Sequence, residues 1–398
     1  APDVYITKYL KESGQLKPEI MAKAEKLMIT GYQRELTYQR SDGSFSAFGD
    51  NDEQGSLFLT AFVLKCFSQA KGLIYIDDTV LSQAEKWIVD HQNADGSFDP
   101  FGFVCHQDMM GGLKGKTALT AYVAIALLEA GDNADASRAI SYLEGQLNNI
   151  DDAYTMAITD YALELGGSAR RGQAHTKLMG MAQEDANGLH WGNVSEIEPL
   201  DQKGGEFIPF RPMELNRSNA IEATGYATLA LIKNGDAFDT SRAAKWLISQ
   251  RNAYGGYGST QDTVVALQAL IQYCTNVRAD VDLNVTISAG SQVKQLRITQ
   301  SNFDVLQTVE VPLNQDITIS AAGRGDVLAQ VVERYNLPQA QQPGDQILKI
   351  NVNYDTKQVE VNDLVKVSVD LQYNPPIKMK AEMVVLDVSV PTGFSAVT

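Results

Sequence analysis

Ala84-Glu-Lys-Trp-Ile88 runs into Gln92-Asn-Ala-Asp-Gly-Ser-Phe98, and the pair returns as Ala243-Ala-Lys-Trp-Leu247 followed by Gln250-Arg-Asn-Ala-Tyr-Gly-Gly-Tyr257. The first half, Ala-x-x-aromatic-Ile/Leu, occurs again at Ala139–Leu143, and related Gly-aromatic turns stand at Asp42-Gly-Ser-Phe45 and Asn187-Gly-Leu-His-Trp191. Recurrence of one helix-and-turn unit is the mark of a repeat architecture. The Ala-x-x-aromatic segments belong to amphipathic helices with polar outer faces. Each turn then leads to a segment that is small or apolar nearly all round: Thr60–Phe67, Thr120–Leu128, Ala223–Ile232 and Thr263–Leu270. Ala153–Leu165, ending in Gly166-Gly167, fits the same class. Amphipathic helices alternating with wholly apolar ones predict two layers, a solvated outer ring around a buried inner one. Five or six such pairs, within about 275 residues, predict an α/α toroid whose glycine turns reverse the chain at one rim.

Outside the repeat, Ile20, Ala24, Leu27, Met28 and Gly31 mark one more apolar stripe at helical spacing. Composition changes near residue 278, after which β-branched alternation appears at Val281-Asp-Leu-Asn-Val-Thr-Ile287 and Ile317-Thr-Ile319. The expected class is therefore multi-domain, α then β. The helical domain covers 1–278, a first β-region 279–341, and a second β-region 342–398. Gln341-Gln-Pro-Gly344 reads as a linker, with strands expected at Ile347–Val352 and Met383–Val390. Too few strands follow to close a sandwich, and the chain opens on Ala1-Pro2 without an initiator Met, so a fragment or processed product is expected.

The 398 residues carry a net charge of −16, with 44% hydrophobic and 21% charged residues, an ordinary globular composition. Such an acidic surface repels phosphate backbones, which excludes nucleic acid as a partner. Apolar runs reach only about ten residues, too short to span a bilayer as a helix. Cys66, Cys105 and Cys274 form an odd set without CxxC spacing, so no disulfide-stapled domain is expected. Sequons at Asn193, Asn216 and Asn284 are candidate glycosylation sites that permit secretion without showing it.

One connection breaks the regularity. Tyr257 and Thr263 are separated by five residues, whereas the equivalent Phe98 and Thr120 are separated by twenty-one. A long insertion at one rim of a regular ring points to a binding or reactive feature. It contains Cys105-His106-Gln-Asp108-Met-Met-Gly-Gly112. His106 stands among apolar and sulfur residues with Asp108 two positions on, so it is read either as a reactive imidazole or as a hydrogen-bonded structural histidine. Adjacent Cys105, His106 and Asp108 make a poor zinc site, because neighbouring residues rarely turn toward one ion. Gly111-Gly-Leu-Lys-Gly-Lys-Thr117 lacks the spacing and preceding strand of a phosphate loop. Neither a cofactor nor a metal is expected. Ser259-Thr-Gln-Asp262 reads as a helix start with capping-box character.

Taken together, Ala1-Pro-Asp-Val-Tyr-Ile6, Gly31-Tyr-Gln-Arg34, Asp42-Gly-Ser-Phe-Ser46, Leu59-Thr-Ala-Phe-Val63, His106-Gln-Asp-Met-Met-Gly-Gly112, Leu119-Thr-Ala-Tyr122 and Gly255-Gly-Tyr-Gly-Ser-Thr-Gln-Asp-Thr263 resemble the thioester domain of the alpha-2-macroglobulin and complement family. The likeness is greatest to insect thioester proteins and a membrane-anchored member of the family. It implies that a Cys-Gly-Glu-Gln segment forming an internal thioester precedes the stretch matching Ala1-Pro2; neither thioester residue is in this sequence. It also implies a role for His106, as the imidazole that takes the acyl group from sulfur, with Asp108 in support. The regions 279–341 and 342–398 resemble the second half of a CUB-like module and the start of a macroglobulin-type, receptor-binding sandwich.

The function implied is that of a secreted or surface-anchored innate-immune protein that attaches covalently to targets after proteolytic activation, as opsonin or protease trap. It would act once per molecule and not as an enzyme. Its implied partners are the upstream part of the same protein, an activating protease, and hydroxyl or amine acceptors on microbial or cell surfaces. Two other functions fit the pattern less well: a non-covalent docking module, and a toroid enzyme of glycosidase or prenyl-transfer type.

Overall fold

The computed structural model describes residues 2–12, 16–104, 113, 115–194, 212–252, 256–276, 281–303, 305–325, 327, 329–333, 348–356, 358–360, 363–374, 386 and 394. Its helices are α1 (Pro2–Glu12), α2 (Pro18–Leu36), α3 (Leu57–Ala70), α4 (Asp78–Asp90), α5 (Gly115–Ala130), α6 (Asn133–Gln146), α7 (Ala153–Leu165), α8 (Arg171–Met179), α9 (Pro212–Asn234), α10 (Ala237–Ser249) and α11 (Thr260–Asn276). Two compact units are formed; the described residues from Glu333 onward belong to the second.

In the first unit the odd-numbered helices make an inner ring. Helix α3 packs on α5, α5 on α7, α7 on α9, α9 on α11, and α11 on α1. The even-numbered helices lie outside, α2 on α1, α4 on α3, α6 on α5, α8 on α7 and α10 on α9. The layers follow from composition. Every residue of α5 from Ala118 to Leu127 is buried, whereas α4 buries only Ala84, Trp87 and Ile88 from its one apolar face. The expected α/α toroid is the observed architecture, and its inner layer is the main hydrophobic core.

Both halves of the sequence repeat have a structural meaning. In each turn the aromatic residue is buried and its N–H donates to a threonine in the inner helix that follows: Phe45 to Thr60 Oγ1 (3.0 Å), Phe98 to Thr120 Oγ1 (3.0 Å), Trp191 to Thr224 Oγ1 (3.0 Å) and Tyr257 to Thr263 Oγ1 (3.2 Å). In the first three turns the glycine, Gly43, Gly96 or Gly188, has positive φ and presses on an outer helix. A β-carbon on Gly96 would lie 2.2 Å from the Arg138 carbonyl oxygen, and one on Gly188 2.3 Å from that of Arg242. Arg138 and Arg242 immediately precede the repeat alanines Ala139 and Ala243, both fully buried. Where the repeat aromatic is tryptophan, its indole N–H returns to the turn: Trp87 donates to Asp42 Oδ2 (3.1 Å) and Trp246 to Asp185 Oδ2 (3.2 Å).

Some elements depart from expectation. The α2 stripe is real as a helix, but Met28 is buried while Ile20 and Leu27 remain exposed, because only one flank of α2 is covered by a packed helix. The inner helices begin three to five residues before the threonines that mark them, at Leu57, Gly115 and Thr260. Helix α8 and a small hairpin, β1 (Gln183–Asp185) with β2 (Gly188–His190), carry too short a pattern to be read from sequence.

After α11, strands β3 (Asp282–Ala289), β4 (Gln292–Thr299) and β5 (Ile317–Arg324) form an antiparallel sheet in the order β4-β3-β5. It has its own small core of Val281, Leu283, Val285 and Ile298. In the second unit, β6 (Leu348–Tyr354) and β7 (Val367–Tyr373) pair antiparallel from Leu348↔Tyr373 to Tyr354↔Val367. The expected linker 341–344 and most of the expected strand 383–390 lie outside the described residues. Among the described residues, no helix is long and apolar enough to cross a membrane.

Candidate functional site

The amino ends of the inner helices, where the Gly-aromatic turns dock, form one rim of the toroid, and the long insertion opens there. Both of its flanks are pinned. Leu57 N–H, at the start of α3, donates to the Phe101 carbonyl (2.9 Å). Gly102 sits at φ +81° so close to the backbone entering α3 that a β-carbon would lie 2.0 Å from the Gly55 carbonyl oxygen. Val104 and Leu113, on either side of the segment 105–112, are both buried in the main core. The neck is tied by an ion pair between Asp99 Oδ1 and Lys116 Nζ (3.2 Å). Hydrogen bonding from Asn93, then Lys116, holds the exposed Asp99 carboxyl below its ordinary range.

Beside this neck lies an apolar cleft lined by Phe58, Pro100, Phe101, Phe103, Val104 and Leu119. Phe101 and Phe103 are exposed in it, at 38% and 55%. Phe101 also meets His91 at a tilt (4.5 Å between centroids) and Trp87 edge-on (5.9 Å).

The opposite side of the rim is polar. Ser259 and Asp262 make the expected capping box: Asp262 Oδ1 accepts from Ser259 N–H (2.8 Å), and Asp262 N–H donates to Ser259 Oγ (3.3 Å). Asp262 Oδ2 also accepts from Ser218 Oγ of α9 (2.9 Å), so one cap joins two inner helices. Burial raises the Asp262 carboxyl, and these hydrogen bonds oppose the rise. Tyr154 hydroxyl donates to Glu222 Oε2 (3.1 Å) just beneath.

Helix α1 points its amino end at the same rim. Helix α2 ends beside Gln39 and Phe45, and Phe45 docks on Thr60 at the amino end of α3, so α2 runs antiparallel to α3. Helices α1 and α2 pack together across a short connection, as an antiparallel helical hairpin does. That leaves α1 running the same way as α3. Tyr5, in the first turn of α1, is level with Lys65 and Gln268, near the middle of α3 and α11. The backbone at the start of α1 is therefore directed up toward the rim.

The residues singled out from sequence distribute as follows. His106, Asp108 and Cys105 lie outside the described residues, as does the side chain of Asn216 on α9. Asn193 and Asn284 are exposed, the latter on β3. Cys66 and Cys274 are not joined in a disulfide, and burial raises the Cys66 thiol. Sequence inspection missed Lys65, Tyr5 and Gln268, which meet inside the ring, and Asp160 with His175 between α7 and α8. Polar residues within apolar helices were the available signal.

Residues 1–273 match the family described as the A-macroglobulin TED domain. The chain belongs to the alpha-2-macroglobulin and complement family. The match runs across the whole toroid and ends inside α11, so the ring of helix pairs is the TED domain. The chain is also similar to Ovostatin from Gallus gallus, with 33% identity over 350 residues that cover 85% of this chain. It spans 23% of that relative's length.

Proposed function

We propose that this TED domain serves a secreted thioester protein that, once cleaved by a protease, attaches covalently to a nearby surface or to the protease itself. The observation that carries this function is the convergence at one rim. The insertion bearing His106 is anchored there on both flanks, and α1, whose amino end follows the thioester segment in this family, is directed to the same place.

The chemistry follows from the residue types. His106 attacks the thioester carbonyl, the carbon–sulfur bond breaks, and a thiolate leaves. The thiolate then accepts the proton of a target hydroxyl as its oxygen attacks the acyl-imidazole. An ester forms and the imidazole is released, combining nucleophilic and general-base catalysis in a single turnover. Asp108 supports the imidazole. The apolar cleft at the loop neck suits the task of keeping water from an acyl–sulfur bond, since hydrolysis is the competing reaction. Opsonin and protease trap both remain consistent with this chemistry. The regions 279–341 and 342–398 are the CUB-like and macroglobulin-type parts of the same protein, and in intact family members the last of these domains helps keep water from the bond until activation. Asn193, Asn216 and Asn284 are the proposed glycan acceptors.

The test uses the full-length protein, activated by limited proteolysis in the presence of labelled glycerol or methylamine. His106→Asn is expected to lower glycerol incorporation at least tenfold while retaining methylamine incorporation. Unchanged incorporation of both acceptors removes the role for His106. Absence of any incorporation by the wild type removes the thioester function.

A further inference from the structure

Helix α1 has eleven residues, too short to hold its own shape in water, and its position depends on what it packs against. The face it buries includes Val4, Tyr5 and Thr7. Inside the ring Tyr5 hydroxyl donates to Gln268 Oε1 of α11 (3.3 Å), and Lys65 Nζ of α3 donates to the same oxygen (3.1 Å). One amide oxygen therefore gathers α1, α3 and α11. Its orientation is fixed by chemistry, because an ammonium can only donate and must face the oxygen of the amide, not its nitrogen.

These three side chains are poor choices for stability alone. Lys65 is 4% exposed, and among the described residues no carboxylate lies within ion-pair distance of it. Burial lowers the Lys65 amine from its ordinary range, against the pull of Glu129. Gln268 Nε2 is buried without a hydrogen-bond partner among the described residues. Apolar residues of similar size would avoid both costs. What apolar residues would not supply is directionality: a buried polar set selects one register where greasy packing tolerates several. The other inner helices combine broad apolar faces with polar contacts such as Ser218–Asp262 and Tyr154–Glu222, and at α1 the polar contact is this node.

We infer that Gln268 is a positioning residue, the latch that fixes α1 in register against α3 and α11 and so keeps the start of the helix directed toward the reactive rim; the consequence for reactivity rests on the function proposed above. With the latch intact, the segment entering α1 is held in place and water is kept from the bond. With it broken, α1 slides or frays within an otherwise intact ring. Gln268→Glu keeps an acceptor for both donors and gives Lys65 a counter-charge, so the latch survives. Gln268→Leu removes the acceptor. Lys65→Met removes one donor and leaves Tyr5 in place.

Two measurements separate the latch from the chemistry. In the present chain, hydrogen exchange of residues 2–12 is expected to speed up at least tenfold in Gln268→Leu, and less in Lys65→Met. It should stay near wild type in Gln268→Glu, with exchange in α5 and α7 unchanged in all three. In the full-length protein before proteolysis, methylamine uptake is expected to rise severalfold in Gln268→Leu and not in Gln268→Glu. If Gln268→Leu does not fold, Lys65→Met supplies both readouts. Unchanged α1 exchange in Gln268→Leu and Lys65→Met overturns the latch, and faster α1 exchange without faster methylamine uptake overturns its positioning role. A wild-type protein that takes up no methylamine even after proteolysis overturns the thioester function, and the exchange data then decide the latch by themselves.

Discussion

Gly96 lies against the backbone of Arg138 so closely that no side chain fits between them: a β-carbon would meet the Arg138 carbonyl oxygen at 2.2 Å and its carbon at 2.6 Å. The contact joins the turn after α4 to the outer helix α6, one residue before the buried repeat alanine Ala139.

Gly96→Ala should therefore destabilise the toroid by at least ~2 kcal/mol, from left-handed backbone strain at φ +85° and from backbone overlap that no rotamer can relieve. Gly145, near the end of α6 with nothing within 4 Å of its added β-carbon, is the control. Gly145→Ala should be neutral or stabilising by about 0.5 kcal/mol. Chemical denaturation of both variants checks the pair, and equal midpoints would refute the packing argument.

The docking of Phe98 on Thr120 supplies a second test. Thr120 Oγ1 accepts the buried Phe98 N–H and donates to the Lys116 carbonyl (2.7 Å). Thr120→Val is nearly isosteric but strands that N–H, at a cost of about 1–3 kcal/mol. Thr120→Ser keeps the hydroxyl and should recover most of the loss. Denaturation midpoints in the order wild type, Ser, Val are expected; Val at or above Ser contradicts it.

Asp262 caps α11 and bonds Ser218 of α9 with the same carboxylate. Asp262→Ala removes the carboxylate half of the capping box and leaves the Ser259 and Gly258 N–H groups unpaired, a loss of about 2 kcal/mol. Thermal melting should show it, together with faster exchange at the first turn of α11. A melt unchanged from wild type rules out the cap as a stabilising contact.

Stability should also depend on pH through Asp160. Its carboxylate is fully buried on α7, with Glu164 one turn along and His175 Nδ1 of α8 at 3.9 Å. Glu164 in turn faces Arg171 of α8 (3.9 Å) and accepts from Asn234 of α9 (3.0 Å). Burial first, and Glu164 second, push the Asp160 carboxyl up from 3.8 to about 8. The folded chain then keeps a proton that the unfolded chain releases above about pH 4, so folding takes up a proton in between. This contribution is fully present below pH 3.8 and is lost steadily as pH climbs to about 8. Asp160→Asn does not titrate. Its stability relative to wild type should rise with pH across that window, reaching ~1 kcal/mol or more at pH 8. Parallel curves for the two proteins from pH 5 to 8 would refute the shift.

Much of this architecture was legible without coordinates because its causes are local. Ala139 and Ala243 announce outer helices, since a small residue is needed where the preceding Gly-aromatic turn presses in. Phe98 and Trp191 announce the rim, since an aromatic must fill the space beneath each glycine. The all-round apolar character of Ala153–Leu165 placed α7 in the inner layer with its bounds intact. Helix α8 was not legible because nine residues with two buried positions, Ala174 and Leu178, make too weak a periodic signal. The exposure of Ile20 and Leu27 could not be foreseen either, because a stripe of apolar residues does not say whether a partner covers it.

The sequence by itself determined the two-layered ring, the switch from helix to strand after Asn276, and the insertion that interrupts the repeat. Each of these follows from periodicity or spacing among residues close along the chain. Only the tertiary structure decided how the ring closes. Tyr5 and Lys65 reach Gln268 across 263 and 203 positions of sequence, and no local pattern encodes which buried polar groups will meet. Their partnership arises when packing excludes water and leaves each group no better acceptor than the others.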